Sequence, residues 1–175
     1  MEKLSKEILN IIKDEIWQYC ETDASNIQFS QEVVNACKAN LCGNYNKSWR
    51  CPPNVGEFSV LKAKYSEYGK VFVFTTVHNI EDSFDIEGMF EACKRHNRTE
   101  DKIRKLVKEY NGEVLGAGVC DVCEKCAFPN PCRFPERAKT SVEACGIDVV
   151  ALASTLGINY VNGENTVTYF SAVFF

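Results

Sequence analysis

The sequence has no run of apolar residues long enough to span a bilayer, and its first residues lack the apolar segment of a signal peptide. We therefore expect no membrane-spanning helix and a cytoplasmic protein. Lysine and arginine total 20 against 24 acidic residues, which gives a net charge of -4, and no basic stripe with interleaved aromatics is present. The usual signature of a nucleic-acid-binding protein is therefore missing.

Several catalytic signatures are also missing. The chain has no glycine-rich phosphate loop, no nucleophile elbow, and no C-x3-C-x2-C run of the kind that holds a radical S-adenosylmethionine cluster. It has only two histidines, His78 and His96. We expect both to be ordinary core or surface residues rather than ligands or proton donors. The sequence therefore names no substrate and leaves open whether the protein is an enzyme.

Cysteine, in contrast, is abundant, with ten residues in a chain of 175. In a reducing compartment so many cysteines indicate metal binding or catalysis rather than disulfides. Seven of them lie in two stretches. The 37–51 loop has the spacing C-x4-C-x8-C-P-P, and the 120–132 loop has the spacing C-x2-C-x2-C-x5-C. Cys20 and Cys93 fall in predicted helices, and we expect them to be small core residues.

The 120–132 loop has the strongest signal in the chain. Three cysteines in succession at x2 spacing can ligate three corners of an iron–sulfur cube, and a fourth closes the site. We predict that four thiolates hold one [4Fe–4S] cluster: Cys120, Cys123, Cys126 and Cys132. Such a cluster is anionic, so we expect backbone N–H donors, and the nearby Arg133, Arg137 and Lys139, to offset its charge.

The 37–51 loop supplies a second set of thiols. Glycine, asparagine and proline predict an irregular backbone here, and polar loops seldom bury three thiols without a partner. We predict that Cys37, Cys42 and Cys51 hold a second cluster, with Cys145 as the candidate for its fourth ligand. The alternative is a three-cysteine cluster with one iron open to water or substrate, which would indicate an enzyme.

Zinc is the competing metal. It takes four tetrahedral sulfurs, usually in two pairs, and Cys37 and Cys42 with Cys120 and Cys123 could provide them. However, the third x2-spaced cysteine is unnecessary for zinc, and no closely spaced pair of histidines accompanies the cysteines. Iron–sulfur is therefore the favoured chemistry.

Helical and strand patterns alternate along the chain. Five helices are predicted: 3–20, Ser30 to Cys37, Asn54 to Gly69, 84–110 and 140–156. Four strands are predicted: 70–78, 113–119, 158–161 and 166–175. The pattern predicts a single α/β domain over residues 1–175, with a mixed sheet of about four strands joined by βαβ crossovers, flanking helices, a C-terminal hairpin and cysteine-rich metal loops. An α+β ferredoxin-like sandwich would give a similar pattern and stays open.

The final strand is apolar on both faces, from Tyr169 to Phe175. Such a strand is expected to be central in its sheet or covered by a partner. A homodimer is one arrangement that would supply such a partner.

Two stretches together resemble the family called domain of unknown function 2284, described as predicted metal-binding proteins. The first contains Cys37, Cys42 and Cys51-Pro52-Pro53, with Tyr45-Asn46-Lys47-Ser48-Trp49 between them. The second contains the four cysteines of the 120–132 loop, then Arg133-Phe134-Pro135-Glu136 and Ser141–Val149. The resemblance covers most of residues 37–160 and implies metal binding as Fe–S. That family does not require cysteine at the position of Cys145, which favours the open-site alternative.

From the sequence we therefore predict an iron–sulfur protein that carries one or two [4Fe–4S] clusters and passes electrons to or from a redox partner protein. The alternatives are an Fe–S enzyme with an open iron on the 37–51 loop, and a zinc-binding structural or interaction module.

Overall fold

The computed structural model describes all 175 residues. Its five strands form one mixed sheet in the order β1-β2-β5-β3-β4, which confirms the predicted α/β class. The strands are β1 (Tyr19–Asp23), β2 (Lys70–Asn79), β3 (Glu113–Gly116), β4 (Thr140–Ser141) and β5 (Thr166–Phe174). The α-helices are α1 (Lys3–Ile12), α2 (Gln31–Lys38), α3 (Phe58–Ser66), α4 (Ile86–Glu109) and α5 (Val149–Leu156).

The centre of the sheet is formed by β2 and β5. Strand β2 is rich in β-branched and aromatic residues, and Val71–Phe74 are fully buried. β5 pairs antiparallel with β2 on one side and with β3 on the other. The predicted central position of the last strand is therefore confirmed, and its two apolar faces are covered within the chain.

Hydrophobic side chains fill both faces of the sheet. Along β2, Phe72 and Phe74 pack with α1 and α4, whereas Val71 and Val73 point the other way, into a larger cluster with α3 and α5. This alternation follows from the two-residue period of a strand. The sheet is therefore a layer between two sets of helices.

The N-terminal helix is shorter than predicted. It ends at Ile12, and Tyr19–Asp23 forms the edge strand β1 instead of the helix's last turns. The Trp17 N–H donates to the Thr75 carbonyl at 2.7 Å, and the Thr75 N–H donates to the Gln18 carbonyl at 2.9 Å. The apolar residues here are spaced as in a helix, but these sheet hydrogen bonds decide the structure and override that local preference. Cys20 is therefore a half-buried strand residue rather than a helical one.

The C-terminal region differs from the prediction in two ways. Residues 158–161 form no strand, because β2 and β3 already occupy both edges of β5. The Asn162 side chain instead donates to the Asn159 carbonyl and to the Thr168 hydroxyl, which holds the segment in a turn. The predicted βαβ crossovers are also absent, since β3 and β4 form the one parallel pair and no α-helix connects them.

The predicted 140–156 helix begins later, at Val149. Thr140–Ser141 pairs with β3 and forms β4. Gly146 adopts the left-handed conformation, with a φ of 78°, so no continuous helix runs through this position. The Asp148 carboxylate then caps α5 by accepting the Ala151 N–H at 2.9 Å. The sheet pairing next to the 120–132 loop therefore replaces the first turns of the predicted helix.

Helix α4 carries charged groups into the core. His96 is fully buried, as expected for a core histidine, and Glu100 is 1% exposed. The Ser171 hydroxyl lies 2.7 Å from His96 Nε2 and donates to Glu100 Oε1 at 2.7 Å, and Arg104 forms an ion pair with the same carboxylate. Burial would raise the pKa of Glu100, but His96 and Arg104 outweigh it and hold this pKa below its usual value.

Glu100→Gln is expected to lose about 2–3 kcal/mol of stability at neutral pH, because it leaves Arg104 without its buried partner. Since the pKa of Glu100 is lowered to about 2 in the folded protein, its charge stabilises the fold above the ordinary value of 4.5, and this contribution is lost progressively as the pH falls from 4.5 to the folded-state pKa. Urea unfolding of both proteins at neutral pH and at about pH 3 measures the difference. Acid loss of a metal would affect both proteins alike. If the difference in unfolding free energy between wild type and Glu100→Gln is the same at both pH values, the stabilising role of the Glu100 charge is contradicted.

Candidate metal centre

The 120–132 loop connects β3 to β4, the parallel pair of the sheet. As predicted, it begins just beyond the carboxyl end of a strand, where open α/β sheets commonly place their sites. Gly118, with a φ of 71°, carries the chain close over α4, since a Cβ there would stand 2.8 Å from the Cys93 sulfur. A glycine at this turn therefore lets the loop lie directly on the helix.

All four cysteines of the 120–132 loop line one small cavity of about 20 Å³. Ser48, Trp49 and Arg50 of the 37–51 loop close it from the other side. The four cysteines line this space, and no three His, Cys, Asp or Glu side chains converge closely enough to hold a single ion. The donor set fits a sulfur-ligated cluster, and the irregular, partly exposed loop would have to open outward to enlarge the space.

The second set of thiols lies beside the first. Burial raises the pKa of Cys51 to about 11, against a smaller opposing effect of the Ser48 hydroxyl, and Cys42, Cys37 and Cys120 add to the rise. Ser48, Trp49 and Arg50 of the same loop line the cavity of the 120–132 cysteines. Cys51 follows Arg50 directly, so the second set of thiols lies next to this cavity.

Direct contacts dock the two loops on each other. The Trp49 ring packs edge-on against Phe128, with ring centroids 5.0 Å apart, and Trp49 Nε1 donates to the Asn130 carbonyl at 2.8 Å. The Arg50 guanidinium donates to the Pro135 carbonyl at 3.1 Å. Trp49 thus packs as the sequence predicts, and it also fixes the position of one loop relative to the other.

The thiol of Cys126 is influenced by hydrogen-bond donors of both loops. Burial would raise the pKa of Cys126, but the N–H groups of Phe128, Trp49 and Ala127 and the Ser48 hydroxyl outweigh it and lower this pKa. A lowered pKa favours the thiolate, which is the metal-binding form. Ser48 is 2% exposed, and its hydroxyl acts to lower the pKa of both Cys51 and Cys126. It therefore links the two thiol sets.

A backbone N–H reaches one thiol, and the three nearby cations make their side-chain contacts with other groups, although Arg133 also lines the thiol cavity. The Lys139 N–H donates to the Cys120 sulfur at 3.4 Å. The Lys139 ammonium pairs with Asp101 and Asp121 at 2.8 and 3.0 Å. Arg133 donates to a carbonyl of its own loop, and Arg137 lies over the Phe134 ring. Of the three predicted cations, Lys139 therefore contacts a thiol, and it does so through its backbone.

Cys145 lies in the hydrophobic core, in a turn that packs against α2. It is fully buried in the larger hydrophobic cluster, and burial raises its pKa to about 12. Besides burial, the strongest influences on this pKa come from Tyr65, Lys64, Glu113 and Glu143. Its environment is that of a core residue.

The sequence did not indicate Ser48 as a residue of the site. Its only signal is its position between the cysteines of the 37–51 loop, and a serine there is also an ordinary loop residue. Its importance depends on the packing of one loop on the other, which no local pattern encodes.

Fold and site together define an α/β protein with two adjoining cysteine-rich loops that carry seven thiols. The model of the family described as "Predicted metal-binding protein (DUF2284)" matches residues 20–175, so the chain belongs to this family of predicted metal-binding proteins. The resemblance based on the two cysteine motifs is therefore confirmed. No curated protein and no solved structure matches the chain significantly. None of its helices combines the length and the apolar character that crossing a membrane requires.

Proposed function

We propose that the protein holds one [4Fe–4S] cluster with the four cysteines of the 120–132 loop and a second Fe–S centre with Cys37, Cys42 and Cys51, and that it exchanges electrons with a redox partner protein. The observation that carries the proposal is that four thiols at x2, x2 and x5 spacing line one cavity. Such a cluster, when bound, accepts and releases single electrons.

The chain's own part is to keep the thiols deprotonated, oriented and shielded. The N–H groups of Ala127, Phe128 and Trp49 favour the thiolate of Cys126. The Trp49 and Phe128 rings cover the site, and lower solvent access at a sulfur-ligated centre is one of the factors that set its potential. The packing of the 37–51 loop against the cavity of the 120–132 loop supports electron transfer between the two centres.

The spacing of the thiols supports iron–sulfur over zinc. Zinc takes four sulfurs, usually in two pairs. The 120–132 loop has one more x2-spaced cysteine than a zinc pair needs. This supports a polynuclear centre whose ligands bind separate iron atoms.

A second function, an enzyme with an open iron, is supported by the 37–51 loop. Its three thiols lack a fourth cysteine, because Cys145 packs in the core. Cys42 is exposed, so a ligand position on this side would be open to solvent or substrate. An iron with three protein thiolates would then act as a Lewis acid.

Spectra of the anaerobically purified protein distinguish these functions. Reversible reduction by dithionite, with full recovery after oxidation and no response to added thiols or small anions, is the result expected for an electron carrier. A paramagnetic signal of the second centre that shifts when a thiol is added would favour the enzyme. A protein without visible absorption that contains stoichiometric zinc would reject both.

The same proposal places the protein in a reducing compartment such as the cytoplasm. All ten cysteines are free thiols. Thiolate ligands must stay reduced to bind iron, and cytoplasmic conditions keep them so.

Trp49→Ala is expected to release iron several-fold faster than wild type when a chelator is added, because both the contact with Phe128 and the hydrogen bond to Asn130 are lost. Trp49→Phe keeps part of the ring contact and should lie between the two. Trp17→Phe is the matched control, since Trp17 also donates from Nε1, to Asn162, but lies outside both loops. Equal release rates in all four proteins would contradict a shielding role.

A further inference from the structure

A cleft of about 810 Å³ lies beside the thiol cavity. Three residues, Arg50, Val122 and Ala138, line both spaces. The wider walls of the cleft are the second half of α4, strand β3 and the 135–140 segment. A concave space of this size is typical of a site for a small molecule.

The lining of the cleft is strongly basic. Seven cationic side chains face it against four acidic ones, in a chain whose net charge is -4. On α4, residues 101, 104, 105 and 108 recur at helical spacing, so they share the face that lines the cleft. Further cations come from the 135–140 segment and from the 37–51 loop. With Lys64 of α3, four separate segments thus bring positive charge to one place.

Four of these cations have no carboxylate partner, whereas Lys64, Arg104 and Lys139 form ion pairs within the lining or with Glu100. The four are Arg50, Lys105, Lys108 and Arg137. Arg50 and Lys108 donate only to the backbone carbonyls of Pro135 and Glu136, at 3.1 and 2.7 Å. Such bonds orient the cations without neutralising their charge.

We propose that this cleft binds a small molecule that bears two or more phosphate or carboxylate groups, and that it holds this anion next to the thiol centre. Arginine donates in a fork that matches phosphate and carboxylate oxygens, and lysine supplies point charge. Arg50 immediately precedes Cys51 and reaches into the cleft, so a ligand bound there lies next to both thiol sets. The inference rests on the proposed function only for the nature of the neighbouring centre.

The test is calorimetric titration of the anaerobically purified full chain with two probes, inorganic pyrophosphate and citrate. We expect saturable binding of at least one probe that weakens with added salt. The probe that binds more tightly distinguishes a phosphate site from a carboxylate site. The double variant Lys105→Gln/Lys108→Gln should weaken binding at least about tenfold, because it removes two charged donors.

The matched control is Lys6→Gln/Lys62→Gln, which removes the same charge from two exposed lysines outside the cleft. It should change the affinity by less than about twofold. Equal weakening by both double variants would overturn the proposal, because binding would then follow net charge alone. Failure of both probes to bind at millimolar concentration would also overturn it, and would leave the cations as a docking surface for an acidic redox partner.

Iron content, measured on each preparation, separates this inference from the proposed function. If the wild-type protein binds iron but neither anion, only the proposed anion site is contradicted. If it binds an anion but no iron, only the proposed cluster is contradicted. A shift in the paramagnetic spectrum on addition of the bound probe would show that the anion lies next to the centre.

Discussion

Cys123→Ser is expected to lose one whole cluster, which removes about four irons per chain and the corresponding part of the visible absorption. Cys123 is the second of the four cysteines of the 120–132 loop, and all four line one cavity. A serine hydroxyl at cytoplasmic pH is a much poorer iron ligand than a thiolate. Cys42→Ser should instead remove the second centre and leave the first in place.

Cys20→Ser is the control for these two variants. Cys20 is half-buried on β1, outside both loops, so its replacement should keep the full iron content. Iron and sulfide are determined per folded chain, with far-ultraviolet circular dichroism to verify the fold. If Cys123→Ser and Cys42→Ser both retain all the iron, the proposed ligands are wrong.

Gly116→Ala is expected to destabilise the fold by about 3 kcal/mol or more. A Cβ at this position would stand 1.9 Å from Glu100 Oε1 and 2.5 Å from Glu100 Cδ. The carboxylate cannot retreat, because Ser171 donates to it and Arg104 pairs with it inside the core. Gly116 is thus required for the close approach of β3 to α4, directly before the 120–132 loop.

Urea unfolding of the purified protein measures this effect, with Gly69→Ala as the matched control. A Cβ at Gly69 would meet its nearest atom, the Phe175 carbonyl oxygen, at 3.8 Å, which is an ordinary contact. The control should unfold within about 0.5 kcal/mol of wild type. An unchanged unfolding midpoint for Gly116→Ala would show that Glu100 is not held where the structure places it.

The parts of the fold that sequence reasoning predicts correctly are those with a strong local signal. Strand β2 is a continuous β-branched and aromatic run, and α4 is a long segment capped by Asp85. Ser30 caps α2 as predicted, through a bond from the Glu32 N–H. In these segments local preference and tertiary packing favour the same structure.

The sequence-based predictions are wrong where the pairing of strands, rather than local preference, determines the structure. Tyr19 and Cys20 continue an apolar spacing that fits a helix, yet β2 offers an open edge to residues 19–23 and they become β1. Asn162-Gly163 is a strong hairpin signal, but β5 has no free edge for a second strand. Thr140–Ser141 joins β3 although it begins a capping-box pattern. A single sequence does not show which strand edges are free.

The same division applies to the site. The spacing of the cysteines identified the two loops, because ligands of one centre must be close in the chain or brought together by a tight turn. The role of Ser48 and the basic cleft depend on segments far apart in sequence, such as Arg50, Lys105 and Arg137. Their proximity follows from the docking of the loops and from the path between β3 and β4.

The most direct test of the central claim is quantification of iron, acid-labile sulfide and zinc in the anaerobically purified protein, together with its paramagnetic resonance spectrum. We expect a brown protein with iron and sulfide in equal amounts, about four or eight of each per chain, and a cluster signal after one-electron reduction or oxidation. A colourless protein that contains one zinc per chain and no sulfide would contradict the claim that these thiols hold iron–sulfur clusters.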